Sequence, residues 1–271
     1  MTAAFAVFLV LVGAGTGVLG TLIGLGGGFI LVPLLLFLHP DADPRTITGI
    51  SLAVVFFNAF SGSVAYGRMR RIDYGIAIPY ALATVPGAVL GAGLIAYISR
   101  ELFTFVFGVF LIGASVLLVL RPQRRLGLVK GNAQRVMVDS SGKSYVYGAN
   151  LWAGLGLSFL AGFLASLLGL GGGIVHMPVL ITLLQMPVHV AAATSQFVLA
   201  ITSLSAGVTH LLHGVYGGSW SEVLLLSLGV VAGAQFGARL SSRLRGATLV
   251  RLLALVLFVV GLRLLVDSFI R

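Results

Sequence analysis

Apolar residues run along this chain in long blocks, and the polar positions fall mostly between them. Ala3–Ile23 is uncharged and long enough to span a bilayer, with Gly13, Gly15, Gly17 and Gly20 forming a small-residue face. A glycine-rich break follows, Gly24-Leu25-Gly26-Gly27-Gly28. Behind it, residues 29–38 cover about half a bilayer at roughly 1.5 Å rise per residue. The polar stretch from His39 to Arg45, with Pro40 and Pro44, predicts a turn. Residues 46–66 predict a full helix with a polar face of Ser51, Asn58 and Ser61. Arg68, Arg70, Arg71 and Asp73 make a basic connection, and residues 74–99 and 102–120 predict two further apolar helices joined at Arg100 and Glu101.

The second half replays the first. Gly169-Leu170-Gly171-Gly172-Gly173 stands 145 residues after the first break (169 − 24), and Pro178 stands 145 after Pro33. Ser51 aligns with Ser195 at a separation of 144, and Gly87-Ala88 with Gly91-Ala92 aligns with Gly233-Ala234 and Gly237-Ala238 at 146. Residues 151–168 precede the second break, 174–184 are again half-length and close at Met186-Pro187, 188–213 carry the next polar face, and 248–266 form the last segment. Matching glycines, prolines and polar positions at a near-fixed offset indicate a duplication. The chain therefore divides into transmembrane repeat 1 (1–120), a basic linker (121–148) with little core of its own, and transmembrane repeat 2 (149–271).

Composition sets the class. Of 271 residues, 58% are hydrophobic and only 9% charged, which places the chain among all-α polytopic membrane proteins. The net charge of +10 does not point to nucleic acid, because the basic residues sit in short connections between apolar runs. If the connections at 68–71 and 121–143 face the cytoplasm, the cluster Arg239, Arg243 and Arg245 should as well. That requires an odd number of crossings in each half, so the repeats are expected to have inverted topology, with both termini outside. Inverted repeats with broken helices near the bilayer midplane are a recurring plan of secondary transporters. The absence of cysteine excludes disulfides and thiol chemistry. With no basic residue before Arg45, the first segment reads as retained rather than cleaved.

The breaks carry the candidate chemistry. Unpaired backbone is costly in hydrocarbon, so such an interruption persists only inside protein or along a wet cavity. Residues after each break would begin a half-helix whose free N–H groups and positive dipole end suit an anion. Gly26, Gly27 and Gly28, facing Gly171, Gly172 and Gly173, would form a site for a small oxyanion. Ser51, Asn58, Thr194, Ser195 and Gln196 add hydroxyl and amide donors from the helices that follow, while Ser61, Thr202 and Ser205 continue those polar faces. His176, where the first half has Leu31, is an ionisable group at membrane depth and a candidate proton relay. His210 and His213, beside Gly214 at a helix end, read as interfacial. Arg251 and Arg263 read as snorkelling, and Asp41, Asp43 and Glu222 as loop or interface residues. Nothing has metal-ligand spacing, no cofactor is implied, and neither Ser203 nor Ser205 is spaced with His210 to argue for a hydrolase.

The twin Gly-Leu-Gly-Gly-Gly blocks with their prolines, the helix starts Ser51-Leu52-Ala53-Val54 and Thr194-Ser195-Gln196, and the doubled architecture resemble the TauE/SafE (sulfite exporter, or TSUP) family of bacterial membrane proteins, across essentially the whole chain. The resemblance implies transport of sulfite, sulfonates or related organosulfur anions across the cytoplasmic (inner) membrane, outward. It does not fix the cargo. The first half has Ile50-Ser51-Leu52 where the second has Thr194-Ser195-Gln196, so the two halves of the site are not equivalent. Protons are the expected coupling ion and a second copy of the chain, in a homodimer, a candidate partner, while Gly87-xxx-Gly91 reads as a close helix-packing face. The alternatives are an anion channel on the same helix ends and a membrane scaffold without transport.

Overall fold

The structure, a computed structural model, describes residues 2–119, 133–149, 151–182, 184–241 and 246–270. Arg121, Arg124, Arg125 and Lys130 of the linker, and Arg243 and Arg245, lie outside them. The chain is helical: α1 Ala3–Ile23, α2 Gly28–Leu38, α3 Pro44–Arg68, α4 Tyr74–Leu94 with a 3-10 turn at Ile95–Tyr97, α5 Arg100–Val119, α6 Leu151–Leu167, α7 Gly173–Thr182, α8 Val188–Leu212, α9 Trp220–Ser241 and α10 Gly246–Ile270. Local chemistry explains the starts. Asp43 accepts the Arg45 amide at 2.7 Å ahead of Pro44 in the first turn of α3, and Asp73 accepts the Gly75 amide at 3.0 Å to cap α4. Gly24 ends α1 in the left-handed region at φ 84°.

By length and composition α1, the α4 stretch Tyr74–Tyr97, α3, α8 and α9 can each cross a membrane. α3 and α8 are the central pair, 72% buried along their apolar windows against 44–50% for the other three. Large apolar side chains such as Leu11, Phe60, Leu82, Leu90, Leu228 and Phe236 cover the outside, the surface expected against lipid tails rather than water.

Each half is built into the other. Backbone approaches through Gly13, Gly17 and Gly237 lay α1 parallel to α9, and those through Gly87, Gly91 and Gly162 lay α4 parallel to α6. The faces Gly87-xxx-Gly91 and Gly233-xxx-Gly237 are thus filled by α6 and α1 of the same chain, the close helix packing expected of Gly87-xxx-Gly91. α3 and α8, which correspond under the repeat, run antiparallel: Gly49 meets His210, and Gly62 meets Gln196. α5 and α10 also run antiparallel, with Gly108 against Gly261 and Ser115 bonded to the Ala254 carbonyl.

The linker has more structure than its composition suggested. β1 Ala133–Val138 and β2 Ser144–Ala149 pair antiparallel, with Arg135 opposite Tyr147. This hairpin docks on the α3–α4 connection. Arg71 pairs with Asp139 at 3.3 Å, Arg135 with Asp73 at 3.0 Å, and the Tyr147 hydroxyl donates to Asp73 at 2.6 Å. Hydrogen bonds from Ser141, the Lys143 and Ser141 amides and the Arg71 charge hold the Asp139 carboxyl well below its ordinary range, against the effect of burial. Burial, and then the bond to Asp73, push the Tyr147 phenol above its ordinary value. The directions of α1, α3, α9 and α10 bring the hairpin and the end of α9 to one face, and both described chain ends to the other.

Candidate functional site

The two breaks meet at the centre between α3 and α8. Gly26 and Gly27 have φ of 79° and 86°, Gly171 and Gly172 of 75° and 108°, which let the backbone reverse and start α2 and α7. They are back to back. A methyl added to Gly28 would stand 2.6 Å from the Gly169 carbonyl oxygen, and one on Gly173 would stand 2.5 Å from the Leu25 Cα.

The aligned serines of α3 and α8, each two turns inside its helix, cross between halves. Ser51 Oγ donates to the Gly169 carbonyl at 2.7 Å, and Ser195 Oγ to the Gly24 carbonyl at 2.9 Å. Asn58 Nδ2 donates to the Gly26 carbonyl at 2.8 Å while its Oδ1 accepts the Thr21 hydroxyl at 2.9 Å. Gln196 Nε2 donates to the Gly20 carbonyl at 3.1 Å, which also accepts the Leu25 and Gly26 amides. Side chains of α3 and α8 thus occupy carbonyls of the break regions. Among the described residues, no acceptor serves the amides of Gly27, Gly28 and Phe29, or those of Gly172, Gly173 and Ile174. Gln196 Oε1 is a buried acceptor without a partner among the described residues, but the amides left unpaired open both half-helices, so the backbone there is electropositive, strengthened by two half-helix dipoles.

Of the residues expected in the site, Gly26, Gly27, Gly28, Gly171, Gly172, Gly173, Ser51, Asn58, Ser195 and Gln196 are brought together, all buried. Thr194 is not with them. Its hydroxyl accepts the Asp73 amide at 3.2 Å, joining α8 to the hairpin side. Ser61 donates to the Val231 carbonyl of α9, Thr202 bonds Thr84 at 2.7 Å, and Ser205 returns to its own helix, so these three serve helix packing. His176 lies beside the second break, Nδ1 3.2 Å from the Gly172 carbonyl and Nε2 3.3 Å from Ser158 Oγ. His210, expected at an interface, is instead completely buried, because Gly49 offers no side chain between α3 and the ring.

Two features escaped sequence reasoning. Thr21 completes the Asn58 network. Val55 and Leu199, equivalent at an offset of 144, pack over Gly26 and Gly171 and close the centre. Their apolar character gave no functional signal, though the matched positions did. An apolar crevice of about 420 Å³ lies farther along the α3–α8 seam, between Phe56, Phe60, Phe197 and Leu204.

Comparison with known proteins agrees with this architecture. The family profile described as "Sulfite exporter TauE/SafE" matches residues 9–264. A relative named "Probable membrane transporter protein YunE", from Bacillus subtilis (strain 168), is 31% identical over 97% of this chain and 98% of its own. "Probable membrane transporter protein MJ0441", from Methanocaldococcus jannaschii, is 25% identical over 95% of this chain and 94% of its own. A "Probable membrane transporter protein" from Haemophilus influenzae is 23% identical over 97% of both. No solved structure matches.

Proposed function

Because the chain belongs to the TauE/SafE family, whose members at hand are named membrane transporters, we propose that it is a secondary transporter exporting a small sulfur oxyanion or organosulfonate, bound between the two glycine breaks. The observation that carries this reading is the crossed pair, Ser51 to Gly169 and Ser195 to Gly24, which holds two sets of unused amides back to back. Such donors bind an anion without a fixed charge, which keeps release easy.

The antiparallel course of α3 and α8, and of α5 and α10, supports inverted topology. The hairpin face, with Arg68, Arg70, Arg71, Arg135, Lys143 and Arg239, is then cytoplasmic, and the chain ends are outside. Val55 and Leu199 close the centre in this arrangement, which favours a carrier over an open channel. Transport then requires those side chains to part from each break in turn.

His176 fits proton coupling. Ser158 Oγ donates to the Gly154 carbonyl at 2.8 Å, so both ring nitrogens face acceptors, and an imidazolium satisfies both. When the proton leaves, Ser158 can turn its hydroxyl onto Nε2 while Nδ1–H stays on Gly172, and neither state leaves a buried group unpaired.

The test is thermal stabilisation of purified protein by sulfite, sulfate, thiosulfate, sulfoacetate, taurine and chloride, beside Gly172→Ala. A ligand that binds only the folded state raises Tm with its concentration over Kd. A rise confined to sulfur anions and weakened in Gly172→Ala is expected. No rise with any anion in well-folded protein ends the organosulfur reading.

A further inference from the structure

His210 presents a buried group that neither break uses. Its ring is 0% exposed, yet both Nδ1 and Nε2 lack a hydrogen-bond partner among the described residues. The ring lies on Gly49, where an added methyl would be 3.5 Å from Cγ and 3.6 Å from Nδ1. Arg45 is one helical turn before Gly49, hence on the same face of α3, and its Nε is likewise buried without a partner. Arg45 makes no ion pair among the described residues.

Packing alone does not explain this pair. The position equivalent to His210 is Tyr66 (210 − 144), which donates to the Thr21 carbonyl at 2.9 Å and is satisfied. Buried polar groups left unpaired mark a place where a partner is expected. Here the unused groups are a guanidinium N–H and an imidazole beside the first turn of α3, a combination that receives negative charge. The turn at 213–219 covers them: the Val215 amide donates to the His210 carbonyl, and the Tyr216 hydroxyl reaches the Gly49 and Gly207 carbonyls at 3.2 Å each.

We propose that Arg45 and His210 form a second anion station, at the end of the α3–α8 pair opposite the hairpin, which takes a small oxyanion between guanidinium and imidazole when the 213–219 turn lifts. This rests on the reading of the chain as an anion transporter. His210 lies 11 residues beyond Leu199 along α8 and Arg45 lies 10 residues before Val55 along α3, each about 15 Å from the closed centre at roughly 1.5 Å per residue, so the station serves one mouth of the path.

Trp220 offers a local probe, since its ring lies 5.2 Å from that of Tyr216. With Trp152→Phe leaving it as the one tryptophan, its fluorescence is titrated with sulfite, thiosulfate and sulfate, and Tm is followed in parallel. A saturable change is expected, about tenfold weaker in Arg45→Gln and His210→Phe. Arg45→Lys and His210→Gln, which keep a charge or an N–H donor, should hold affinity within about threefold. If an Arg45→Gln or His210→Phe preparation melts lower without anion, the comparison rests on those two conservative variants against Arg45→Met and His210→Leu. A Tm rise with Trp220 unmoved, or with affinity unchanged in Arg45→Gln, Arg45→Met, His210→Phe and His210→Leu, overturns the station alone. No response in either readout overturns the transport reading and the station with it.

Discussion

The two glycine breaks share a backbone and differ in what surrounds it. Each reverses the chain with left-handed glycines, starts a half-helix of 11 or 10 residues containing proline, and is held through a carbonyl by a serine of the other half. Around the first break stand Thr16, Thr21 and Asn58; around the second, at the same offsets, stand Ala161, Ser166 and Thr202. Leu31 in the first half-helix is His176 in the second. The Thr21–Asn58 bond closes the first network, whereas Ser166 Oγ is buried without a partner and Thr202 has turned to Thr84. The two halves share the backbone geometry of the break and differ in the side chains that surround it. Structure is symmetric here where backbone must meet backbone, and asymmetric in the side chains packed around it.

The largest effects should fall where the symmetry is strictest. Gly28→Leu and Gly173→Leu both drive a side chain into the facing break's backbone, and no flexible neighbour can yield. Each is expected to cost more than about 4 kcal/mol and abolish folded protein, read as loss of a monodisperse purification peak. Gly15→Leu, where an added Cβ meets nothing within 4 Å, should purify like wild type. If either break tolerates leucine, the breaks do not meet as described.

The next test should separate the halves. A methyl at Gly27 would stand 2.5 Å from the Thr16 Cγ2 methyl; one at Gly172 meets His176 and Ala165 at 3.4 and 3.5 Å, ordinary contacts. Both substitutions strain a left-handed residue by about 1–3 kcal/mol, but Gly27→Ala carries the clash as well. It should lower Tm more than Gly172→Ala, and Thr16→Ala should remove most but not all of the excess in the double mutant, since the Thr16 carbonyl oxygen at 3.1 Å stays. Equal losses in the two single mutants would show that Thr16 is not what distinguishes the breaks.

His176→Leu makes the second half-helix like the first at this position. Stability should change by less than about 1.5 kcal/mol, because ring and partners are replaced by an apolar chain of similar reach that leaves only Ser158, still bonded to Gly154. The pH dependence of transport should flatten, measured as anion flux in proteoliposomes. A variant that keeps the wild-type profile removes His176 from coupling.

Much of this was legible in the sequence, for identifiable reasons. Period and spacing placed the half-helices, because a glycine cluster inside an apolar run leaves the backbone few alternatives, and the recurrence at 145 residues located the second break. Which carbonyl each serine serves was not legible: Ser51 is as near in sequence to Gly24 as Ser195 is to Gly169, and only the interdigitation of the halves sends each across. The hairpin was hidden by the charge of the linker, although Ser144-Tyr145-Val146-Tyr147 alternates as a strand does. His210 was misplaced because distance from a helix end measures depth along the helix, not cover from the side, and that cover comes from Gly49 and the 213–219 turn.

The smallest effect is expected at the end where the halves are joined. At the hairpin face Arg71 is neutralised by Asp139, while Arg45 at the other face has no such partner among the described residues. Asp139→Asn makes the two ends alike. It removes the charge that Arg71, Ser141, Tyr145 and two amides share, worth about 1–2 kcal/mol of hairpin docking, and leaves the bundle intact. Protection of the Ser140 amide, which donates to the Met69 carbonyl at 3.0 Å, reads this directly by hydrogen exchange. The sign with pH follows from the depressed folded value. The Asp139 contribution is fully present above the ordinary aspartate range near pH 4 and is lost only as pH falls further, through the folded value. Wild-type protection should therefore stay flat from neutral pH to about pH 4, and Asp139→Asn should be lower by a constant amount across that range. A wild-type hairpin that loosens near pH 6 would point to a histidine, His189 beside Arg71 and Lys143, as the group that holds this end closed.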